Sequence, residues 1–152
     1  MNRIFIALVV AMLAGGPAVG SEKTEVMAVI QQFVDGFNKG DMESAIAQCA
    51  DQTSIIDDFA PHEWHGAGAC SRWGKAYEAD AKKNEITDGV VTLGAPRHLE
   101  VTANHAYAVI PVDSFTYKVK GKATKETGSI LTVALRKGDS GWRITGWAWS
   151  QG

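Results

Sequence analysis

The chain has 152 residues, of which 45% are hydrophobic, and carries 15 Lys and Arg against 17 Asp and Glu for a formal net charge of −2. That length supports one domain with a real core. The scattered basic residues give no basic face of the kind that nucleic-acid binding requires, which excludes that class of partner.

Residues 1–20 read as a signal peptide. Asn2-Arg3 is a short positive start, residues 4–14 are uninterruptedly apolar, and Gly15-Gly16-Pro17 breaks the run. Ala18-Val19-Gly20 then places small residues before a cleavage point at Ser21. The apolar run is shorter than the roughly 20 residues of a spanning helix; a retained anchor is the alternative reading. The expected product is an exported protein, periplasmic or extracellular, with no membrane contact after cleavage and a domain of residues 21–152.

Val26, Ile30, Phe33 and Phe37 recur at helical spacing, with Val29 and Val34 widening the stripe. In Asn38-Lys39-Gly40-Asp41, Gly40 suits the left-handed position that ends a helix, and Asp41 suits the N-cap of the next. Met42, Ala45, Ile46 and Cys49 give that second helix an apolar face. The strand that follows delivers Asp57 or Asp58 to the mouth of whatever cavity the helices cover. Residues 59–68 are rich in turn formers and read as a loop, and residues 70–84 as a third helix with Cys70, Trp73, Ala76 and Tyr77 on one face.

The remainder has strand character. Residues 89–93 and 97–102 look like one strand bent at Gly94-Ala95-Pro96, residues 106–119 like a second interrupted by Pro111, and residues 128–137 and 142–150 like a closing hairpin. The locally basic residues 118–125 sit where a hairpin turn belongs and read as a solvated sheet edge. Trp142 and Ile144 share a strand face, whereas Trp147 and Trp149 have the opposite parity unless Gly146 marks a bulge. Helices first and long bent strands after them indicate an α+β domain with helices on one face of a curved antiparallel sheet. A curved sheet wrapped over a helix leaves a concave, mostly apolar space suited to a small ligand.

Three features together resemble a known family: the aromatic-rich first helix ending in FNKGD, the Ala50-Asp51 step into the Ile55-Ile56-Asp57 strand, and the C-terminal GWRITGWAWS. They resemble a SnoaL-like domain of the nuclear-transport-factor-2-like superfamily, which includes the ketosteroid isomerases, and the likeness covers nearly all of the chain after residue 21. It implies a cystatin-like, conical α+β barrel with three N-terminal helices packed on a strongly curved antiparallel sheet, and a homodimer formed through the sheet face. It also places Asp57 on the catalytic base of the isomerases, where an aspartate in an apolar pocket moves a proton between two carbons. The tyrosine that donates a hydrogen bond in those enzymes corresponds to Phe33, and their second donor, a carboxylic acid, has no counterpart near Ile130-Leu131-Thr132. Steroid isomerisation is therefore not expected.

Cys49 and Cys70 either form a disulfide, which export favours, or remain as buried thiols. In the implied fold the second and third helices are neighbours, so the resemblance implies the bond. In the cluster His62-Glu63-Trp64-His65 the spacing matches no zinc signature, so no metal is expected; His62 or His65 is read as a polar group at the pocket rim that assists Asp57. Phe33, Phe37, Trp64, Trp73, Tyr77, Tyr107, Tyr117, Trp147 and Trp149 are the candidate pocket aromatics. No nucleophile elbow, phosphate loop or dinucleotide fingerprint is present, and no cofactor is expected. The resulting expectation is an exported protein that binds a small, mostly apolar molecule in a conical apolar pocket. An enzyme of isomerase, cyclase, dehydratase or hydrolase type with Asp57 as general base is the alternative, and a dimeric scaffold module without ligand is a third.

Overall fold

The computed structural model describes residues 17–152. The expected signal peptide lies outside the described residues apart from its last four positions, which are part of the first helix, α1 (Pro17–Asn38). Its apolar stripe buries Val26, Ile30, Phe33 and Val34 in the core. The break after it is built as the residues require. Gly40 takes a left-handed φ of +68°, which a side chain would disfavour. The Asp41 carboxylate accepts the Ser44 backbone N–H at 3.0 Å and so caps α2 (Met42–Ile46).

The second helix is shorter than expected. Cys49 does not end it but opens β1 (Cys49–Ile56), whose Thr53, Ile55 and Ile56 favour extended backbone. Cys49 is bonded to Cys70, with the two Cα atoms 6.5 Å apart, so the start of β1 is tied to the first turn of α3 (Ala69–Asn84). Residues 63–67, expected in a loop, instead form β2 (Glu63–Ala67), antiparallel to β1 with Ile55 opposite Trp64. A strand of five residues beside two histidines and two glycines leaves too little periodic signal to separate it from a turn.

β3 (Ile86–Leu93) and β4 (His98–Val101) are not two halves of one strand; both pair with β5 (His105–Val119) at different places along its length. β5 runs through Pro111 without interruption and turns at Lys120-Gly121 into β6 (Lys122–Glu126), so the basic segment is the expected hairpin. β7 (Ile130–Gly138) and β8 (Gly141–Ser150) close the chain. The order is β2-β1-β8-β7-β5-β3, with β4 and β6 also on β5.

Helices packed on a sheet make this an α+β, cystatin-like fold, with two corrections to the expected sheet. It is mixed rather than antiparallel, because β1 and β8 run parallel; joined through most of the chain rather than by a hairpin, they are free to do so. It is also open, with β2 and β3 at its ends, rather than closed into a barrel. Its bend comes from β5, whose first half pairs with β7 and whose second half pairs with β3 and β6.

One polar clamp fixes α1 over this bend. The Asn38 side chain donates to the Val91 carbonyl at 2.8 Å and accepts the Val91 N–H at 2.7 Å, on the strand at the end of the sheet. Replacing Asn38 by Ala orphans both backbone groups. The expected loss is about 2 kcal/mol of stability, seen as a lower urea midpoint with an unchanged m-value; an unshifted midpoint would show that the clamp carries nothing.

Candidate active site

The hairpin between β1 and β2 sets the position of Asp57. Its backbone N–H donates to the His62 carbonyl at 2.9 Å, which holds the residue just past the end of β1 with its side chain toward α3. Trp73, one turn into α3, donates its indole N–H to Asp57 Oδ2 at 2.7 Å. The other carboxylate oxygen accepts the Asp58 N–H at 2.8 Å. α3 is anchored at Cys70, three residues before Trp73, by the bond to β1, so one covalent link joins the two elements that place donor and acceptor.

Around this carboxyl the structure gathers rings. Trp73 lies 5.8 Å from Phe33 and 4.8 Å, edge to face, from Trp147. Phe37 lies 4.9 Å from Tyr77 and 6.2 Å from Phe115, and Phe59 lies 5.9 Å from Tyr77. These residues, with Val34, Val91, Leu131, Trp149 and the two aspartates, line a cavity of about 80 Å³. An engineered cavity of roughly 150 Å³ holds benzene. The enclosed part of this cavity is about half that size.

Burial pushes the Asp57 carboxyl up to about 7, with the adjacent Asp58 charge adding to the rise and the bonds from Trp73 and the Asp58 N–H opposing it. A carboxyl of this kind exchanges a proton near neutral pH, as a general acid or base must. Tyr77 is pushed up to about 12 by its own burial and then by the Asp57 charge, so its hydroxyl stays protonated beside the acid. Asp58 is the exposed member of the pair, its carboxylate accepting from the Gln151 side chain at 2.7 Å at the rim.

Of the residues anticipated from the sequence, Asp57, Phe33, Phe37, Trp73, Tyr77, Trp147 and Trp149 converge on this cavity. The bulge at Gly146 is what turns the last two inward. Ala134 faces Gly146 while Leu135 faces Ile144, so Thr145 is the extra residue that reverses the strand parity. The others are corrected. His62 approaches the Asp57 backbone carbonyl at 3.1 Å, not the carboxylate, and is exposed. His65 is exposed on β2 and pairs with Glu63 at 3.3 Å. His62 lies in the connection between the two strands, and His65 lies on the face of β2 opposite the buried Trp64. Trp64 is buried against Phe59 outside the lining. Tyr107 is 45% exposed, because the alternation in the first half of β5 sends it to the face opposite its buried neighbours Ala106 and Ala108. The Tyr117 hydroxyl is taken by Glu126 across the β5–β6 hairpin at 2.5 Å. Phe59 and Phe115 were missed; Phe115 was findable as the same-face neighbour of Tyr117 two residues earlier.

The raised Asp57 fixes the sign of a stability effect. The unfolded chain releases this proton at about pH 4, whereas the folded chain holds it to about 7, so stability falls as pH rises from 4 to 7 and levels off above. Asp57→Asn removes that loss. The variant should match the wild type at pH 4 and exceed it by about 4 kcal/mol at pH 8, measured by urea unfolding; a difference independent of pH would contradict the buried-acid geometry.

Comparison with known proteins places this geometry. A search of the curated proteins found no match. Among solved structures, a nuclear transport factor 2-like superfamily protein from Salmonella enterica is similar, with a TM-score of 0.72 and 21% identity over 88% of this chain and 93% of that one. A ketosteroid isomerase-like protein from Erwinia carotovora gives 0.67 and 18% over 86% and 95%, respectively. A protein with a cystatin-like fold from Novosphingobium aromaticivorans gives 0.69 and 16% over 88% and 83%. These likenesses show the fold. The family model described as a SnoaL-like domain matches residues 26–151, a span that includes every residue lining the cavity, and the chain therefore belongs to the SnoaL-like domain family.

Proposed function

We propose that this protein is a cofactor-free enzyme that moves a proton on a small, mostly apolar carbonyl compound, with Asp57 as general base. The observation that carries the reading is one carboxyl, buried among aromatic rings at the end of β1, held by an indole N–H and poised near neutral pH. In its charged form it takes a proton from a carbon next to the carbonyl; protonated, it returns the proton to the same or a neighbouring carbon. The aromatic walls exclude water and hold the substrate by its faces. A pocket that only bound apolar molecules would gain nothing from a buried acid, since burying an ionisable group is unfavourable unless used. This geometry therefore favours the enzyme over the plain binding protein.

Export and pairing belong to the same proposal. Export is supported by the leader-like pattern of residues 1–20 and by the Cys49–Cys70 bond, which an oxidising compartment preserves. No helix among the described residues is long and apolar enough to cross a membrane. Pairing of two copies through the sheet is supported by Tyr107, exposed on the side away from the helices.

The test uses 3-cyclohexen-1-one, whose protons between carbonyl and alkene are acidic and whose single ring keeps it small. In D₂O the protein should accelerate deuterium uptake at that carbon, the rate rising through about pH 7 as Asp57 ionises. Asp57→Asn should lower it by about a hundredfold or more with probe binding retained. Exchange by the variant at the wild-type rate overturns the proposal.

A further inference from the structure

Arg136 of β7 and Arg143 of β8 stand directly opposite each other in the closing hairpin. Their strand neighbours Leu135, Trp142 and Ile144 are buried in the core, so alternation sends both guanidinium groups to the other face of the sheet. Like charges directly opposite destabilise a strand pair. Among the described residues, neither arginine forms an ion pair. On the far side of β7 the residue opposite Arg136 is His105, so β5 supplies no acid there either. Acids outnumber Lys and Arg in this chain, 17 against 15, so the lack of a counterion is local to this pair.

The two side chains share a groove of about 550 Å³ with Gln52 of β1, Lys137, Ser140 and Thr145, and no Asp or Glu lines it. Lys137 is already held by Glu22 at 2.5 Å, so the charge left without a counterion is that of the two arginines. Arg143 donates one N–H to the Trp142 carbonyl at 3.1 Å, which steadies its guanidinium over the sheet. The groove is open at the β7–β8 turn, where a Cβ on Gly138 or Gly141 would meet nothing within 4 Å. It shares no residue with the aromatic cavity, and its chemistry is the opposite one.

A concave site with two guanidinium forks and no acid suits an anion. Each fork matches two oxygens of a phosphate in parallel hydrogen bonds. A carboxylate brings one negative charge and leaves half of the repulsion, whereas a phosphate dianion offsets both arginines. A nucleic acid needs a wider basic face than one pair provides.

We propose that this groove is a second binding site, which takes a dianionic phosphate group between the Arg136 and Arg143 guanidinium groups. The group arrives on a soluble compound or on a lipid headgroup, and the chemistry of its recognition is the same in both. The site stands apart from the proton-transfer reading and does not depend on it. It gives the opposed arginines a reason: the repulsion that weakens the empty hairpin becomes attraction once the dianion lies between them.

The test titrates inorganic phosphate into the ¹⁵N-labelled protein at pH 7.5, with ionic strength held constant by sodium chloride. The backbone amide resonances of Arg136, Arg143 and Thr145 should shift together and saturate. Arg136→Gln and Arg143→Gln should each weaken phosphate by about tenfold or more, the range of a lost charge-assisted hydrogen bond. A second readout separates binding from a role in the fold. Without phosphate, Arg136→Gln should unfold at a higher urea concentration than the wild type, because it removes the repulsion, and phosphate should raise the wild-type midpoint more than that of the variant. Vesicles of phosphatidylcholine with phosphatidic acid distinguish the two sources. Sedimentation of the protein with them, reversed by phosphate, assigns the group to a headgroup; a protein that stays in solution assigns it to a soluble compound. Shifts that do not saturate, or equal affinity in the wild type and both variants, overturn the site. A lower urea midpoint for Arg136→Gln without phosphate overturns it as well, since the arginine would then serve the fold.

Discussion

The hydrogen bond from the Trp73 indole to the Asp57 carboxyl is the constraint around which this domain is arranged. It spans the boundary between sheet and helices, and both partners are tied down independently of it. Asp57 is placed by the tight turn that returns β1 to β2. Trp73 is placed by α3, whose first turn is bonded through Cys70 to the start of β1. The carboxyl is therefore buried because two rigid elements bring it under a ring, and not through side-chain flexibility. Once there, its protonation is set by the competition between burial, which favours the neutral acid, and the two N–H donors, which favour the anion. Burial wins, and a side chain that titrates near pH 4 in water holds its proton up to about pH 7.

The rest of the site follows from what such a carboxyl needs. Its walls are aromatic because rings exclude water with little conformational loss. They come from every layer: Phe33 and Phe37 from α1, Tyr77 from α3, Phe115 from β5, and Trp147 and Trp149 from β8. The helix that supplies the first two is locked by the Asn38 clamp on β3, so the far wall is positioned by backbone hydrogen bonds as firmly as the near wall is by the disulfide. Phe33 has no hydroxyl to offer a ligand.

How much of this was legible depended on whether the signal was local. The helix break at Gly40-Asp41 could be read outright, because left-handed backbone and N-capping are decided by one or two residues. The helical aromatics and the C-terminal hairpin were legible from periodicity, and Asp57 from the family's order of motifs. Three features escaped for a common reason. β2 is too short to show alternation, the parallel pairing of β1 with β8 involves strands some ninety residues apart, and the Asn38 clamp reaches Val91 from 53 positions away. The histidines misled because proximity in sequence to Asp57 was read as proximity to its carboxylate, whereas a tight turn separates successive side chains. The bulge at Gly146 sits between these cases: a glycine between tryptophans signalled it, and only the register settled which way the rings faced.

The central claim is that Asp57 is a buried acid poised near neutral pH inside an aromatic pocket. The most direct measurement is a ¹³C carboxyl titration of the folded protein, with the Asp57 resonance identified by its absence in Asp57→Asn. The account predicts a midpoint near pH 7. A midpoint near 4, the value of an aspartate in water, would mean that the carboxyl is solvated, and the proton-transfer reading would fall with it.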